Sequence, residues 1–341
     1  MTLKRRGFLT AGTWCVDRNK LITHWPDEDG LAETLEESSS GGGSACNLAI
    51  DVKKLDPDLP VATMGLIGDD ADGRLLLAEA DRYRIGRAQM TISDQAPTHY
   101  TDAFASKRTG RRTHITNLGV SVYLTPDHLD VATSPHRFLH LGIVGVHQAM
   151  DEPWGEEPNG WTAVLKAARA TGLETSLELA GSEPAKLAAI TRPCLPHLDL
   201  LIVNDHEIGA ITDTATIKEG RSDPKACIEA AEKALALGSS RLVAVHFPNG
   251  AIVCTREGQV IQRPSLQIPE DIIVGANGAG DAFAAGFLYG LHEAWPIDDA
   301  LALAHAAAAT SLRHVSTSEA LEPWQTCLDL AGSWGWRSAF S

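Results

Sequence analysis

Five apolar runs of strand length punctuate the chain: Val61 to Ile67, Phe138 to Val144, Leu173 to Leu179, Leu198 to Val203 and Leu242 to Phe247. Longer amphipathic stretches separate them. This alternation predicts βαβ units, hence an α/β fold with a mainly parallel sheet, helices on both faces and ligands beyond the carboxyl ends of the strands. A first strand is predicted over Gly7 to Val16. Two regions break the rhythm, Asp17 to Ser40 and Thr91 to Val122, where polar and β-branched residues alternate around Gly and Pro. They read either as hairpin strands of a small β-lid, drawn from about 17–40 and 91–122, or as surface loops. The whole chain, 1–341, reads as a single domain.

The Ser- and Gly-rich stretch Glu36 to Ser44 has the composition of a linker. Its carboxyl-side neighbours decide otherwise. Ala45 to Leu55 continues directly as a helix with apolar Leu48, Ile50, Val52 and Leu55, so the glycines stand at a helix entrance.

Charge narrows the choice of partners. With 29 basic and 44 acidic residues the formal net charge is −15, which argues against nucleic acid, because binders of the phosphate backbone cluster Lys and Arg. A local nest of backbone N–H groups can still hold an anionic ligand. The six cysteines, Cys15, Cys46, Cys194, Cys227, Cys254 and Cys327, are dispersed without metal spacing and read as reduced core thiols. No apolar run reaches the roughly 20 residues that span a bilayer. Lys4-Arg5-Arg6-Gly7-Phe8-Leu9 has the look of a twin-arginine export signal, but Asp17, Arg18 and Lys20 arrive where an apolar segment is needed. A cytoplasmic location is the expectation.

The most informative stretch is Gly275-Ala276-Asn277-Gly278-Ala279-Gly280-Asp281-Ala282-Phe283, which comes after apolar Ile272 to Val274 and opens an amphipathic segment, Ala282 to Leu291. Small residues at a helix start let an anion approach backbone N–H groups at the positive end of the helix dipole. Asp281 stands beside that anion hole, where a carboxylate can take the proton of an attacking hydroxyl. Taken alone, it reads equally as an Asp that caps the first turn.

Here the sequence resembles the ribokinase-like, or PfkB, family of carbohydrate kinases. Asn277 to Phe283 match the end of the family motif D-T-x-G-A-G-D-x-F; Gly42-Gly43-Ser44-Ala45-Cys46-Asn47-Leu48-Ala49 resembles G-G-x-x-x-N-x-A; and Gly65 to Gly73 resembles G-x-(I/V)-G-x-D-x-x-G. Asn204-Asp205-His206-Glu207 looks like N-x-x-E, and Asp17, five residues after Gly12, fits a first-strand sugar contact. Together these span residues 12 to 290 in family order.

The resemblance implies a three-layer ribokinase-like fold with a small β-sheet lid, and ATP-dependent phosphorylation of a hydroxyl on a small sugar or sugar-like molecule. Asp281 would be the general base, with Gly278, Ala279 and Gly280 as the anion hole. Asp17 and Asn47 would bind sugar hydroxyls, Gly42 and Gly43 letting the substrate lie close to the backbone. Asn204 and Glu207 would serve ATP and Mg²⁺, Glu207 through water. By themselves Asn204 and Glu207 read as a capping box. His206, His140 and His147 read as exposed or hydrogen-bonded histidines, and Arg111 and Arg112 as solvated turn charges or anion contacts. A lid with exposed strand edges suggests a homodimer.

Some positions depart from the family pattern. Gly275 and Ala276 replace the usual Asp and Thr, which leaves monovalent-cation activation uncertain. The nucleotide loop T-x-G-x-x-G is His246-Phe247-Pro248-Asn249-Gly250, and the usual Asn of a late helix is His305. Family kinases acting on keto-acid sugars carry an aromatic pair followed by Arg on the lid, where this chain has Ile115-Thr116-Asn117, favouring a neutral substrate. Alternatives are a nucleoside kinase of the same family and a catalytically impaired sugar-binding regulator. A dinucleotide-dependent oxidoreductase is excluded, because Gly12-Thr13-Trp14 supplies no G-x-G-x-x-G after the first strand.

Overall fold

The computed structural model describes residues 5–109, 111–181, 183–275 and 277–340. In chain order the elements are β1 (Phe8–Gly12), β2 (Cys15–Ile22), β3 (Thr34–Gly42), α1 (Ser44–Leu55), β4 (Val61–Gly68), α2 (Ala71–Arg82), β5 (Gly86–Ser93), β6 (Tyr100–Ser106), β7 (Arg112–Asn117), β8 (Phe138–Val144), α3 (Gln148–Asp151), α4 (Gly160–Ala170), β9 (Glu174–Leu179), α5 (Pro184–Thr191), β10 (Leu200–Asn204) and α6 (Asp205–Thr212). The chain continues through β11 (Ile217–Lys218), β12 (Arg221–Ser222), α7 (Pro224–Leu237), β13 (Leu242–Phe247), β14 (Gly250–Thr255), β15 (Val260–Pro264), α8 (Ala279–His292), α9 (Ile297–Ser311) and α10 (Trp324–Trp334).

Nine strands form one sheet in the order β15-β14-β13-β10-β9-β8-β1-β4-β5. From β13 to β5 the neighbours run parallel, and β14 and β15 add an antiparallel edge. All five apolar runs are strands of this sheet. Their unbroken hydrophobicity is a consequence of burial on both faces: Phe8 points into one core with Leu48 and Phe287, and Leu9 into the other with Trp161 and Leu165. Burying each such side chain contributes about 1.5–3 kcal/mol. A second sheet, β3-β2-β6-β7, supplies the smaller layer. Among the described residues no helix is long and apolar enough to cross a membrane, and all six cysteines are buried and unpaired.

Two strand boundaries differ from the sequence reading. Gly7 to Val16 is not one strand: β1 ends at Gly12 and the chain re-enters as β2 in the small sheet. Gly12 causes the break, since it takes φ 122° and a Cβ there would lie 1.5 Å from the Gly142 carbonyl oxygen. Thr13 N–H then bonds that same oxygen at 2.9 Å and turns the chain. Asp17 therefore sits on β2 of the small sheet rather than on the first strand. The start of the second irregular region, from Thr91, belongs to β5 of the large sheet, and only β6 and β7 join the small one.

Candidate active site

Gly278 is the pivot of the late loop. It caps α8 in the left-handed region, φ 76°, and a Cβ there would fall 2.7 Å from the Thr317 backbone. The first intrahelical bond runs from Ala282 N–H to the Gly278 carbonyl at 2.9 Å, leaving the amides of Ala279, Gly280 and Asp281 ahead of it. Ala279 and Gly280 line a cavity of 680 Å³ together with Asn204, His246, Phe283 and His305. The cavity has an aromatic wall: the His246 ring lies 4.9 Å from that of Phe283, and His305 meets Phe283 edge-on at 5.2 Å. Burial holds both histidines neutral, His246 down to about 4 and His305 to about 3.

Asp281 faces away from its own turn. Asn47 Nδ2 on α1 donates to Asp281 Oδ2 at 2.7 Å, and Thr317 Oγ1 donates to Asn47 Oδ1 at 2.8 Å, which fixes the orientation of the Asn47 amide. The Glu178 carboxyl, near the end of β9 and paired with His140 at 2.8 Å, acts on Asp281 through its charge. Burial first, then the Glu178 charge, pushes Asp281 well above the usual carboxylate range. Burial likewise pushes Glu178 up to about 7 and Asp17 up to about 6, the charge on Asp281 adding to the rise at Asp17.

The structure thus brings Asp17, Asn47 and Asp281 together. The two glycines are required locally. A Cβ on Gly42 would lie 2.3 Å from Asp17 Oδ2, and one on Gly43, at φ 88°, would lie 2.7 Å from Thr13 Cγ2. Neither position has room for a side chain, because Asp17 and Thr13 occupy the space a Cβ would take.

Asn204 and Glu207 close a reciprocal capping box on α6: Glu207 N–H donates to Asn204 Oδ1 and Asn204 N–H to Glu207 Oε2, both at 2.9 Å. They share no hydrogen bond with the Asp281 group and couple to it through charge. Burial pushes Glu207 up to about 7, and the charges of Asp205 and Asp281 add to it. Asn204 also lines the 680 Å³ cavity. No group of three or more His, Cys, Asp or Glu among the described residues could cage a metal. One carboxylate oxygen of Glu207 remains outside the capping box, which suits a hydrated Mg²⁺ held mainly by phosphate and water.

Of the histidines and arginines singled out in the sequence, His206 lines the 680 Å³ cavity, and the Arg112 side chain lies outside the described residues. His147 is a bonded core histidine, with Nε2 2.7 Å from Thr13 Oγ1 and Nδ1 2.8 Å from the Ser121 carbonyl. His140 is also buried, but one of its partners is Glu178. Arg111 is exposed. Gly275 N–H bonds the Leu312 carbonyl at 3.2 Å, whereas Ala276 lies outside the described residues. Sequence reasoning missed Glu178, whose one signal is an acid at the carboxyl end of an apolar strand. It also missed Thr317 and Arg337, the latter a cavity residue from the last segment of the chain; neither carries a motif.

Comparison with known proteins agrees with this architecture. Residues 15–324 match the pfkB family of carbohydrate kinases. An ATP-dependent ribose-1-phosphate kinase from Halopiger xanaduensis is 25% identical over 286 residues, covering 82% of this chain and 83% of its own. An adenosine kinase from Schizosaccharomyces pombe is 23% identical over 282 residues, covering 79% and 78%. The structure of Arabidopsis thaliana ribokinase complexed with ribose and ATP superposes with a TM-score of 0.78 at 20% identity, over 96% of this chain and 99% of that one. The fold is that of the ribokinases. The chain belongs to the pfkB family of carbohydrate kinases.

Proposed function

We propose that this protein transfers the γ-phosphoryl group of ATP to a hydroxyl of a small sugar or nucleoside, with Asp281 as general base. The observation that carries the reading is the junction at the start of α8. There the amides of Ala279 and Gly280 open on the aromatic-walled cavity while the next residue, Asp281, turns its carboxyl toward Asn47 and Asp17. The cavity suits a flat base, and the leading amides suit the phosphoryl oxygens as charge moves onto them. On the other side Asp17 and Asn47 offer an acceptor and a donor to hydroxyl groups. Asp281 takes the hydroxyl proton, the oxygen attacks phosphorus, and the bond to the leaving ADP oxygen breaks. Mg²⁺, held beside Glu207 and Asn204, would supply charge neutralisation on the phosphates.

A neutral acceptor is favoured. Arg18 and Lys20, the cations on β2 just beyond Asp17, are already paired with Asp72 and Asp102. Relatives of the chain include a kinase of an anionic sugar phosphate and one of a neutral nucleoside, and the paired cations favour an uncharged acceptor, sugar or nucleoside. The small sheet serves as a lid that excludes water from the transfer. With Trp25, Leu35 and Ile115 exposed on or beside it, it is also the proposed contact of a homodimer, which sedimentation would detect.

The deciding experiment is Asp281→Asn, assayed for ADP formation over a panel of sugars and nucleosides. Turnover should fall about 10²–10⁴-fold, the usual worth of a general base, with ATP and acceptor binding kept in calorimetry. Near-normal turnover would overturn the assignment.

A further inference from the structure

One wall of the 680 Å³ cavity is the hairpin of β11 and β12, from which Ile217, Gly220, Arg221 and Ser222 line it. The hairpin is fixed by its own turn. Both turn residues take positive φ, Glu219 at 51° and Gly220 at 73°, as the tight two-residue turn that matches strand twist requires. Register follows: Lys218 pairs with Arg221, and Ile217 with Ser222. Side chains then fasten the hairpin to the start of α6. Ser222 Oγ–H donates to Asp205 Oδ2 at 2.5 Å, and Thr216 Oγ1–H to the Asp205 carbonyl at 2.6 Å. The preceding residue, Asn204, pairs in the sheet with His246, and a Cβ on Gly280 would lie 3.7 Å from His246 Cε1. Hairpin, α6 start and the leading amides of α8 therefore gather at one end of the cavity.

Charge at that end is unbalanced. The acid in the cavity wall, Asp205, is already committed, Oδ2 to Ser222 and Oδ1 to the His206 N–H at 3.0 Å. Lys218, across from Arg221, is committed too, with Nζ 2.5 Å from Asp223 Oδ2. Arg221 is exposed and pairs with no acid among the described residues. Arg337, the other arginine of the wall, is anchored instead at Ser265, where its N–H bonds the carbonyl at 2.9 Å. A guanidinium stays charged at any ordinary pH and presents a fork of N–H donors that matches phosphate oxygens. A protein of net charge −15, with Glu207 and Asp281 nearby, repels a polyphosphate unless positive charge is supplied locally.

We propose that Arg221 is a phosphate-binding residue for the donor, its guanidinium reaching the polyphosphate of ATP while the amides of Ala279 and Gly280 hold the end that is transferred. Ser222, Thr216 and the Glu219-Gly220 turn position it. The contact offsets charge before transfer as well as during it, so it acts on donor affinity more than on the chemical step. This inference rests on the reading of the cavity as the ATP site and adds the side chain that balances its charge.

The test is calorimetry of MgATP and MgADP on the ligand-free protein and on Arg221→Gln. The substitution should raise Kd for both nucleotides about tenfold or more in about 50 mM KCl, the worth of hydrogen bonds to a charged group. In about 500 mM KCl the difference should shrink to about threefold or less, because salt screens an exposed contact. KM for ATP should rise by a similar factor with KM for the acceptor unchanged, and the melting temperature should hold. Lys218→Gln removes the same charge from the same hairpin and should change either Kd by less than about twofold. Unaltered affinity in Arg221→Gln, a loss indifferent to salt, or an equal loss in Lys218→Gln would each overturn the phosphate contact. A wild-type protein that binds neither nucleotide would overturn donor site and arginine together. Binding that weakens in Arg221→Gln, in a protein with no phosphotransfer to any acceptor, would instead sink the base assignment and leave Arg221 standing.

Discussion

Asn47 Nδ2 donates to Asp281 Oδ2 across 2.7 Å, joining the second turn of α1 to the first turn of α8 over 234 residues of sequence. One end of the amide is held by Thr317, so the other can only present N–H groups to the carboxylate. The bond stabilises charge on a carboxyl that burial and Glu178 otherwise drive toward the neutral form.

Asn47→Ala should therefore push Asp281 up further. The acid limb of kcat should move to higher pH by about one unit, the worth of a hydrogen bond to a charged group. The loss of activity will then be greatest at pH 6 and smallest near pH 9. A kcat–pH profile checks this, and an unshifted limb would mean that Asn47 acts on the acceptor alone.

Gly278 and Gly280 are two residues apart and answer to different constraints. Gly278→Ala forces a left-handed residue against the Thr317 backbone at 2.7 Å, at a cost of about 1–3 kcal/mol. It should lower the melting temperature and kcat together. A Cβ on Gly280 meets only His246 Cε1 at 3.7 Å, so Gly280→Ala should leave stability unchanged or slightly improved. It narrows the approach to the amides, and KM for ATP should rise about tenfold. Thermal melts with steady-state kinetics separate the two.

The ligand-free protein should be more stable near pH 6.5 than near pH 9. Asp17 is pushed up to about 6 and Glu178 and Glu207 to about 7, and burial also raises Asp51 and Asp281 well above the usual carboxylate range. Unfolded carboxylates titrate near about 4. Between those limits the folded state holds more protons than the unfolded one, so stability falls as pH rises. The cost of burying charge is complete above the folded pKa values and absent below the unfolded ones. His99, His140, His147 and His246, held at about 4, act in the opposite sense, but only below about 6.5, where the unfolded imidazoles begin to bind protons. The melting temperature should rise as pH is lowered from about 9 to 6.5 and then level off; a steady rise with alkalinity would contradict the buried-acid picture.

The family match ends at residue 324, yet the chain after α10 returns to the cavity. Gln267 N–H bonds the Gly335 carbonyl and Arg337 N–H the Ser265 carbonyl, each at 2.9 Å, Trp336 stacks under Arg263, and Phe340 packs on Phe247 at the hairpin. A chain ending at Ser333 should lose this wall, with KM for ATP raised about tenfold and KM for the acceptor little changed. An equal effect on both would show that the segment supports the fold as a whole.

Alternation of apolar runs and amphipathic segments, a matter of local periodicity, was enough to determine the parallel sheet and its helices. The motif residues Gly278 to Asp281 and Asn47 were legible for the same reason: a helix start built from small residues is a local event. Tertiary structure decided the rest. The break at Gly12 depends on a carbonyl 130 residues away, and the seat of Asp17 depends on the missing Cβ of Gly42. The influence of Glu178 on Asp281 depends on crossovers that carry β9 and α8 to the same end of the sheet. Proton affinity in such a cluster is set by neighbours that meet only once the chain has folded, so no run of sequence could disclose it.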